Sequence, residues 1–360
     1  MRVGVVGCGA ILPQYLQTFA GLTSVQLVAV ADLEPARAEA VTADLRGVRA
    51  LTVDDLLADD EVDVVLNLTV PAAHAEVSLR AMAAGKHVYT EKPFTSTTEQ
   101  ATQVLDAARA AGVLVGCAPD TVLGTGVQTA RKAVDDGLVG APVFATATML
   151  TPGHERWHPN PDFYYVPGGG PLMDMGPYYV TTLVTLLGPV ASVVGAGSRT
   201  RGLRTIGTGP REGEQVPVST DSHVTAVLVH ESGVLSTLVM SFDGVATRAP
   251  NIEVHGELGS LVLPDPNYFD GDVELCTLAE RDAGWQVLPV SAGYRGAGRG
   301  YGLADMAVTP AGQQHRANEE LGFHVLDVME SVLASTASGA SVPMRSTAAR
   351  PAPVPLGDLA

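Results

Sequence analysis

Lysine is the residue type to start from, because the chain carries only Lys86, Lys92 and Lys132 among its 360 residues. Lys92 lies in Thr90-Glu91-Lys92-Pro93-Phe94, just after the apolar run His87 to Tyr89, which reads as a strand. Side chains at the carboxyl ends of parallel strands meet ligands in open α/β sheets. An ammonium there, partly buried and beside a cationic ring, loses basicity and can exchange a proton near neutral pH. The competing assignment is a solvated Glu-Lys pair at a strand end.

Asp174 and Tyr178 form a second constellation. Gly168-Gly169-Gly170-Pro171 opens a segment that runs through both residues to Leu187 and stops at Gly188-Pro189, a pattern that predicts a loop followed by a helix. Four residues apart, Asp174 and Tyr178 share one helix face and can converge on one ligand. Alternatively, Asp174 caps the helix and Tyr178 fills core.

Gly7-Cys8-Gly9 follows the run Val3 to Val6 and precedes a helical pattern, while Asp32 ends the next apolar run. Glycines so placed let backbone approach a pyrophosphate, and the acid binds a ribose hydroxyl. The Asp32 carboxylate would repel a 2'-phosphate, which favours NAD, with NADP kept as the second choice because Arg37 is near. Leu12 stands where the fingerprint has a third Gly or Ala, so an ordinary tight βα turn remains the competing assignment.

His154-Glu155-Arg156-Trp157-His158 matches the zinc string H-E-x-x-H. That chemistry needs a helix, whereas Pro152-Gly153 before the string and Pro159 and Pro161 after it leave scarcely one turn, so no metal is expected. A loop in which Trp157 or His158 touches substrate is expected instead. Gly293, Gly296, Gly298, Gly300 and Gly302, interspersed with Arg295, Arg299 and Tyr301, read as a mobile loop over the site or as a linker.

These residues need elements to hold them. Up to residue 120, β-branched runs alternate with alanine-rich helical patterns, which implies parallel βαβ units. Beyond it, period-two runs such as Val143 to Met149, Val224 to His230 and Val234 to Phe242 indicate an antiparallel sheet with one covered face. The expected organisation is therefore a Rossmann domain over 1–120 and an α+β domain with a large, mainly antiparallel sheet over 121–360. Asn318, before Glu319 and Glu320, caps a last helix.

Composition narrows the partners. A formal charge of -17, with no basic stripe, argues against nucleic acid. Apolar stretches are too short for a membrane span. Cys8, Cys117 and Cys276 lack the number and spacing of a disulfide framework or zinc cluster, which fits a reducing compartment and a cytoplasmic protein.

Taken together, Gly7-Cys8-Gly9, Asn67-Leu68-Thr69-Val70-Pro71 with His74, Ala84-Gly85-Lys86-His87-Val88 running into Glu91-Lys92-Pro93, and the triple glycine through Asp174 and Gly176 resemble the glucose-fructose oxidoreductase, inositol dehydrogenase and MocA family along essentially the whole chain. The resemblance implies a sugar or polyol dehydrogenase whose open sheet face forms a homo-oligomer interface, as a dimer or tetramer. It implies a cofactor set of Gly7, Cys8, Gly9, Ala10, Ile11, Asp32, Asn67, Thr69, Pro71, His74, Glu91 and Lys92. Lys92, Asp174 and Tyr178 become the catalytic residues, and Lys92, Asp120, Trp157, His158, Asp174 and Tyr178 the substrate contacts.

Tyr178 occupies the family's histidine position. A phenol titrating near ~10 is a poor base at neutral pH, which moves proton transfer toward Lys92 and leaves His158 as the candidate replacement imidazole. The expected reaction is hydride exchange between a secondary alcohol of a sugar, anhydrosugar or polyol and nicotinamide. Two alternatives stay open: transient oxidation by retained NAD during glycoside cleavage or elimination, and a non-catalytic dinucleotide-binding protein.

Overall fold

A computed structural model describes residues 1–359. The chain forms two compact units: Met1–Gly124 with Gly293–Leu326 and the tail from Val354, and Thr125–Ala292 with Asp327–Pro353.

In the first unit, six strands alternate with five helices: β1 Arg2–Val6, α1 Leu12–Phe19, β2 Gln26–Ala31, α2 Pro35–Thr42, β3 Arg49–Leu51, α3 Val53–Ala58, β4 Val64–Asn67, α4 Pro71–Ala83, β5 His87–Thr90, α5 Thr98–Ala111 and β6 Val115–Cys117. The strands form one parallel sheet in the order β3-β2-β1-β4-β5-β6. That order reverses direction between β1 and β4, and ligands of such sheets bind outside the carboxyl ends at the reversal. Val6 pairs with both Ala31 and Asn67, so the chain leaves β1, β2 and β4 along one edge. Every residue of β4 is buried, as a strand covered on both faces requires. Thr97 caps α5 by accepting from the Gln100 N–H, and Gly112 closes it in the left-handed conformation at φ 65°.

The second unit begins with α6 Thr125–Asp135 and β7 Pro142–Leu150, and continues through α7 Gly170–Leu187, β8 Val190–Ser198 and the short pair β9 Leu203–Thr205 and β10 Gln215–Pro217. There follow β11 His223–His230, β12 Leu235–Ser241, β13 Ile252–Gly256, β14 Gly259–Leu263, β15 Glu274–Thr277, β16 Gln286–Val287 and, late in the chain, β17 Val342–Pro343. Nine of these strands form one sheet in the order β16-β15-β14-β13-β7-β12-β11-β8-β17, antiparallel except for β12 beside β7. Burial alternates along β11: Val224, Ala226 and Leu228 are inside, while Val227 faces out. Helix α7 packs on β7, β11 and β12, which gives the sheet its covered face.

The expected assignment of everything after residue 120 to the second domain is corrected here. Helix α8, Tyr301–Val308, buries Leu303, Ala304 and Met306 within the first unit, and Asn318 bridges to Gly116 of β6. The glycine stretch likewise belongs to that unit, and its end from Gly298 to Gly302 packs against it. Gly300 has φ +104°, and a Cβ there would lie 2.8 Å from the Phe19 ring, so only glycine fits against α1. Asp120 explains the return. It is fully buried and accepts N–H bonds from Gly300 at 2.8 Å and Gly302 at 3.0 Å, and burial raises its pKa. Asp120, expected from sequence to contact substrate, ties this turn to the residues after β6 through Oδ2. Helix α9, Glu319–Ser338, starts after Asn318, whose Oδ1 accepts the Leu321 N–H at 2.9 Å. No helix among the described residues is long and apolar enough to cross a membrane.

Candidate active site

Gly7 leaves β1 with φ +104°, and a Cβ on it would sit 2.7 Å from the Leu68 carbonyl. Glycine is required for the two strand ends to lie this close. Gly9 is different, because a Cβ there would meet no protein atom within 4 Å. Its backbone faces open space, which suits close approach of a pyrophosphate. Ala10 is exposed and Ile11 half-buried in the turn that enters α1, whereas Leu12 is buried in the core.

Asp32 is fixed by this turn. Its Oδ2 accepts from Cys8 N–H at 2.8 Å and its Oδ1 from Glu34 N–H at 2.9 Å. Each oxygen keeps a further lone pair, so a ribose hydroxyl can still donate to it. Arg37 lies 3.9 Å away. Burial and then the Asp32 charge push the Cys8 thiol up to about 11, so the cradle gains no thiolate. A groove of about 330 Å³ opens here, walled in part by Gly9, Asp32, Thr69 and the 94% exposed Leu33 and 67% exposed Val70. Such an apolar pair beside polar anchors suits the flat base of a dinucleotide. The residues present therefore fit the cofactor.

Two residues expected in the cofactor set, Asn67 and His74, are fully buried. Asn67 donates to the His74 carbonyl at 3.0 Å and accepts from the Thr69 hydroxyl at 2.6 Å. The His74 ring lies with Nδ1 2.7 Å from the Pro93 carbonyl and Nε2 3.0 Å from that of Thr69, and burial lowers its pKa. Both residues position Thr69, which lines the groove, and His74 also braces the turn after β5. Pro71 is exposed as the first residue of α4.

That turn carries Lys92. Glu91 is buried and accepts from the Tyr15 hydroxyl at 2.8 Å through Oε1 and from the Lys92 N–H at 2.9 Å through Oε2. With His74 against the next carbonyl, the Lys92 backbone is held on both sides while its half-buried side chain extends from a fixed base.

In the second unit, Gly168 and Gly170 have φ +89° and +85°, and a Cβ on Gly169 would lie 2.3 Å from the Phe163 carbonyl. The triple glycine thus lets the aromatic turn Asp162–Tyr165 press against the start of α7. Asp174 and the buried Tyr178 lie one turn apart on α7. Between them Gly176 makes room for Met329, whose sulfur would be 2.8 Å from an added Cβ.

The imidazole that reaches Asp174 belongs to His154 and not to His158. His154 Nε2 is 2.9 Å from Asp174 Oδ2, and the Trp157 indole N–H donates to His154 Nδ1 at 3.3 Å. Rings of Phe242, Tyr164 and Trp157 surround it with centroids at 4.3, 4.6 and 5.0 Å. His158 instead accepts from Asn160 N–H at 3.1 Å through Nδ1, and burial lowers its pKa. Trp157 and Phe163 are 58% and 53% exposed beside it, an aromatic surface next to a carboxylate. The remaining member of the zinc-like string, Glu155, is committed elsewhere: it accepts from the Tyr165 hydroxyl and pairs with Arg204 at 3.2 Å.

Sequence reasoning missed His154 and Tyr164. Only the H-E-x-x-H string drew attention to His154, and it suggested a metal partner where the fold supplies a carboxylate 20 residues away.

Residues 1–118 match the profile of the GFO_IDH_MocA oxidoreductase family with its NAD-binding Rossmann fold, and residues 127–262 match the GFO/IDH/MocA C-terminal domain. A 1,5-anhydro-D-fructose reductase of Ensifer adhaerens is 27% identical over 266 residues, 72% of this chain and 75% of that protein. A D-glucoside 3-dehydrogenase of Escherichia coli K12 is 28% identical over 298 residues, 78% and 82% of the two chains. The crystal structure of an NAD binding oxidoreductase from Klebsiella pneumoniae shares the fold at TM-score 0.80 and 24% identity, over 96% of this chain and 99% of that one. The chain belongs to the GFO/IDH/MocA family of sugar and polyol oxidoreductases. It is an NAD(P)-dependent enzyme with an NAD-binding Rossmann domain.

Proposed function

We propose that the enzyme oxidises and reduces a secondary alcohol carbon of a sugar, anhydrosugar or polyol, with Lys92 exchanging the hydroxyl proton. The observation that carries this reading is the clamp on the Lys92 backbone by Glu91 and His74, at the carboxyl end of β5 in the sheet that holds the dinucleotide groove. When bound, nicotinamide supplies the hydride acceptor and donor. In the oxidative direction the alcohol C–H bond breaks to release hydride, the O–H proton passes to the neutral Lys92 amine, and a carbonyl remains. In the second unit, Asp174, Tyr178 and His158 are the hydrogen-bonding partners offered to sugar hydroxyls, and the exposed Trp157 ring is a platform for an apolar sugar face. The sugar-directed names of the two relatives support the substrate class.

The test follows absorbance of reduced nicotinamide with NAD or NADP against sugars, polyols and anhydrosugars, alongside Lys92→Ala. Lysine-dependent turnover is the expected result, and retained turnover in Lys92→Ala would overturn the role of Lys92.

The second unit also supports self-association. Phe144, Val194, Val227 and Leu235 are all exposed on the uncovered face of the large sheet, where Leu235 pairs with Phe144 and Val227 with Val194. A contiguous apolar patch of this kind marks an interface, here with a second copy of the chain. Sedimentation should find a dimer or tetramer that Val227→Glu shifts toward monomer; a monomeric wild type would dismiss the interface.

A further inference from the structure

We infer that His154 is a positioning residue for Asp174, held by Trp157 in the neutral tautomer that carries its proton on Nε2. The inference rests on the reading of Asp174 as a substrate-binding carboxylate and adds what holds that carboxylate in place.

An indole N–H can only donate. The His154 nitrogen that faces it, Nδ1 at 3.3 Å, must therefore offer a lone pair. The ring proton then sits on Nε2, where Asp174 Oδ2 accepts it at 2.9 Å. A doubly protonated imidazole would set one N–H against another at Nδ1. The ring cannot swing away from the indole, because Phe242, Tyr164 and Trp157 pack around it and the residue is only 7% exposed. The relay thus runs in one direction, from indole to imidazole to carboxylate. It fixes one oxygen of Asp174, and with it the plane of the carboxylate, through a hydrogen bond to a charged acceptor.

The titratable and charged groups around His154 leave this arrangement intact. Asp174 comes from α7. His158 shares the loop but spends Nδ1 on Asn160. Tyr164 meets the ring edge-on, and the Tyr165 hydroxyl accepts from the His154 backbone N–H at 3.2 Å while donating to Glu155. Glu155 in turn pairs with Arg204. Trp157 consequently has two tasks, since its exposed face is offered to substrate and its N–H sets the proton inventory of the Asp174 pair.

Two measurements on the holoenzyme test the assignment. Nitrogen NMR of labelled histidine should find the His154 proton on Nε2; a proton on Nδ1 would overturn the inference whatever the activity. The same spectrum of Trp157→Phe is the second readout. The variant keeps an aromatic face but removes the N–H, so the His154 proton should no longer be confined to Nε2. His154→Leu should lower kcat by about 10- to 100-fold, the scale of a lost hydrogen bond to a charged group, and His154→Gln should recover most of that loss because its amide can donate to the same oxygen. A Trp157→Phe spectrum in which the His154 nitrogens superpose on wild type would overturn the role of Trp157. Retained activity in Lys92→Ala, by contrast, would refute the catalytic reading while leaving the NMR result standing.

Discussion

The Tyr15 hydroxyl donates to Glu91 Oε1 at 2.8 Å, joining residues 76 positions apart inside the first unit. The other oxygen of that carboxylate holds the Lys92 N–H, so Tyr15 acts on Lys92 through Glu91. Tyr15→Phe removes a hydrogen bond to a charged group and keeps the ring that packs on Phe19. It should lower kcat about tenfold with little change in substrate KM. Steady-state kinetics on a variant with unchanged circular dichroism checks this, and an unaltered kcat would show that the clamp does not matter to turnover.

The two glycines of the first turn should respond in opposite ways. Gly7→Ala must place a methyl against the Leu68 carbonyl at a positive φ and should destabilise the fold by several kcal/mol, of order ~2 to 4. Gly9→Ala meets no protein atom, so its melting temperature should match wild type while its methyl intrudes on the bound cofactor. Titration calorimetry with NAD should find its affinity reduced at least about tenfold. Equal NAD affinity in Gly9→Ala would reduce this turn to an ordinary βα connection.

Asp32 makes cofactor choice testable. Asp32→Asn removes the negative charge and keeps an oxygen that can accept one of its backbone N–H donors. The ratio of kcat/KM for NADP to that for NAD should rise, about tenfold or more, because repulsion of a 2'-phosphate is relieved and Arg37 is close by. A ratio that stays constant would assign the discrimination to other residues of the groove.

Acid sensitivity follows from buried imidazoles. Burial lowers the pKa of His74, His230 and His315. Below about pH 6.5 the unfolded chain protonates these rings while the folded chain keeps them neutral, so the unfolded state binds more protons. Their contribution to stability is complete above that pH and is lost as pH falls through it toward the lower folded values. The raised carboxyls of Asp120 and Asp265 work in the opposite sense, taking up protons in the folded chain first. Comparing His74→Gln with wild type isolates one imidazole: the drop in melting temperature between about pH 8 and about pH 5.5 should be smaller in the variant. An identical drop in both proteins would remove His74 from the acid response.

Local patterning made the Rossmann half legible. Short β-branched runs such as Val64 to Leu66 fit strands buried on both faces, and Gly7 and Asp32 sit at strand ends that one register aligns. The large sheet was legible from alternation, as in β11. Chemistry carried across long separations was not. Asp120 looked available because nothing in its neighbourhood reveals donors at Gly300 and Gly302. The glycines around them looked mobile because spacing alone cannot distinguish a flexible loop from a turn pressed against Phe19. His154 was hidden for a related reason: its partner is chosen by how the triple glycine folds the aromatic turn onto α7, not by any motif.

The tie between Asp120 and its donors, 180 and 182 residues downstream, also orders events on the ribosome. A nascent chain that has emerged only to residue 124 holds a carboxyl destined for the interior without the two amides that bond its Oδ2, a costly state to bury. Its sheet can assemble early, but its interior stays unfinished while Thr125–Ala292 are synthesised. The unit that holds residues 1–124 is therefore completed only after the main body of the second has been made.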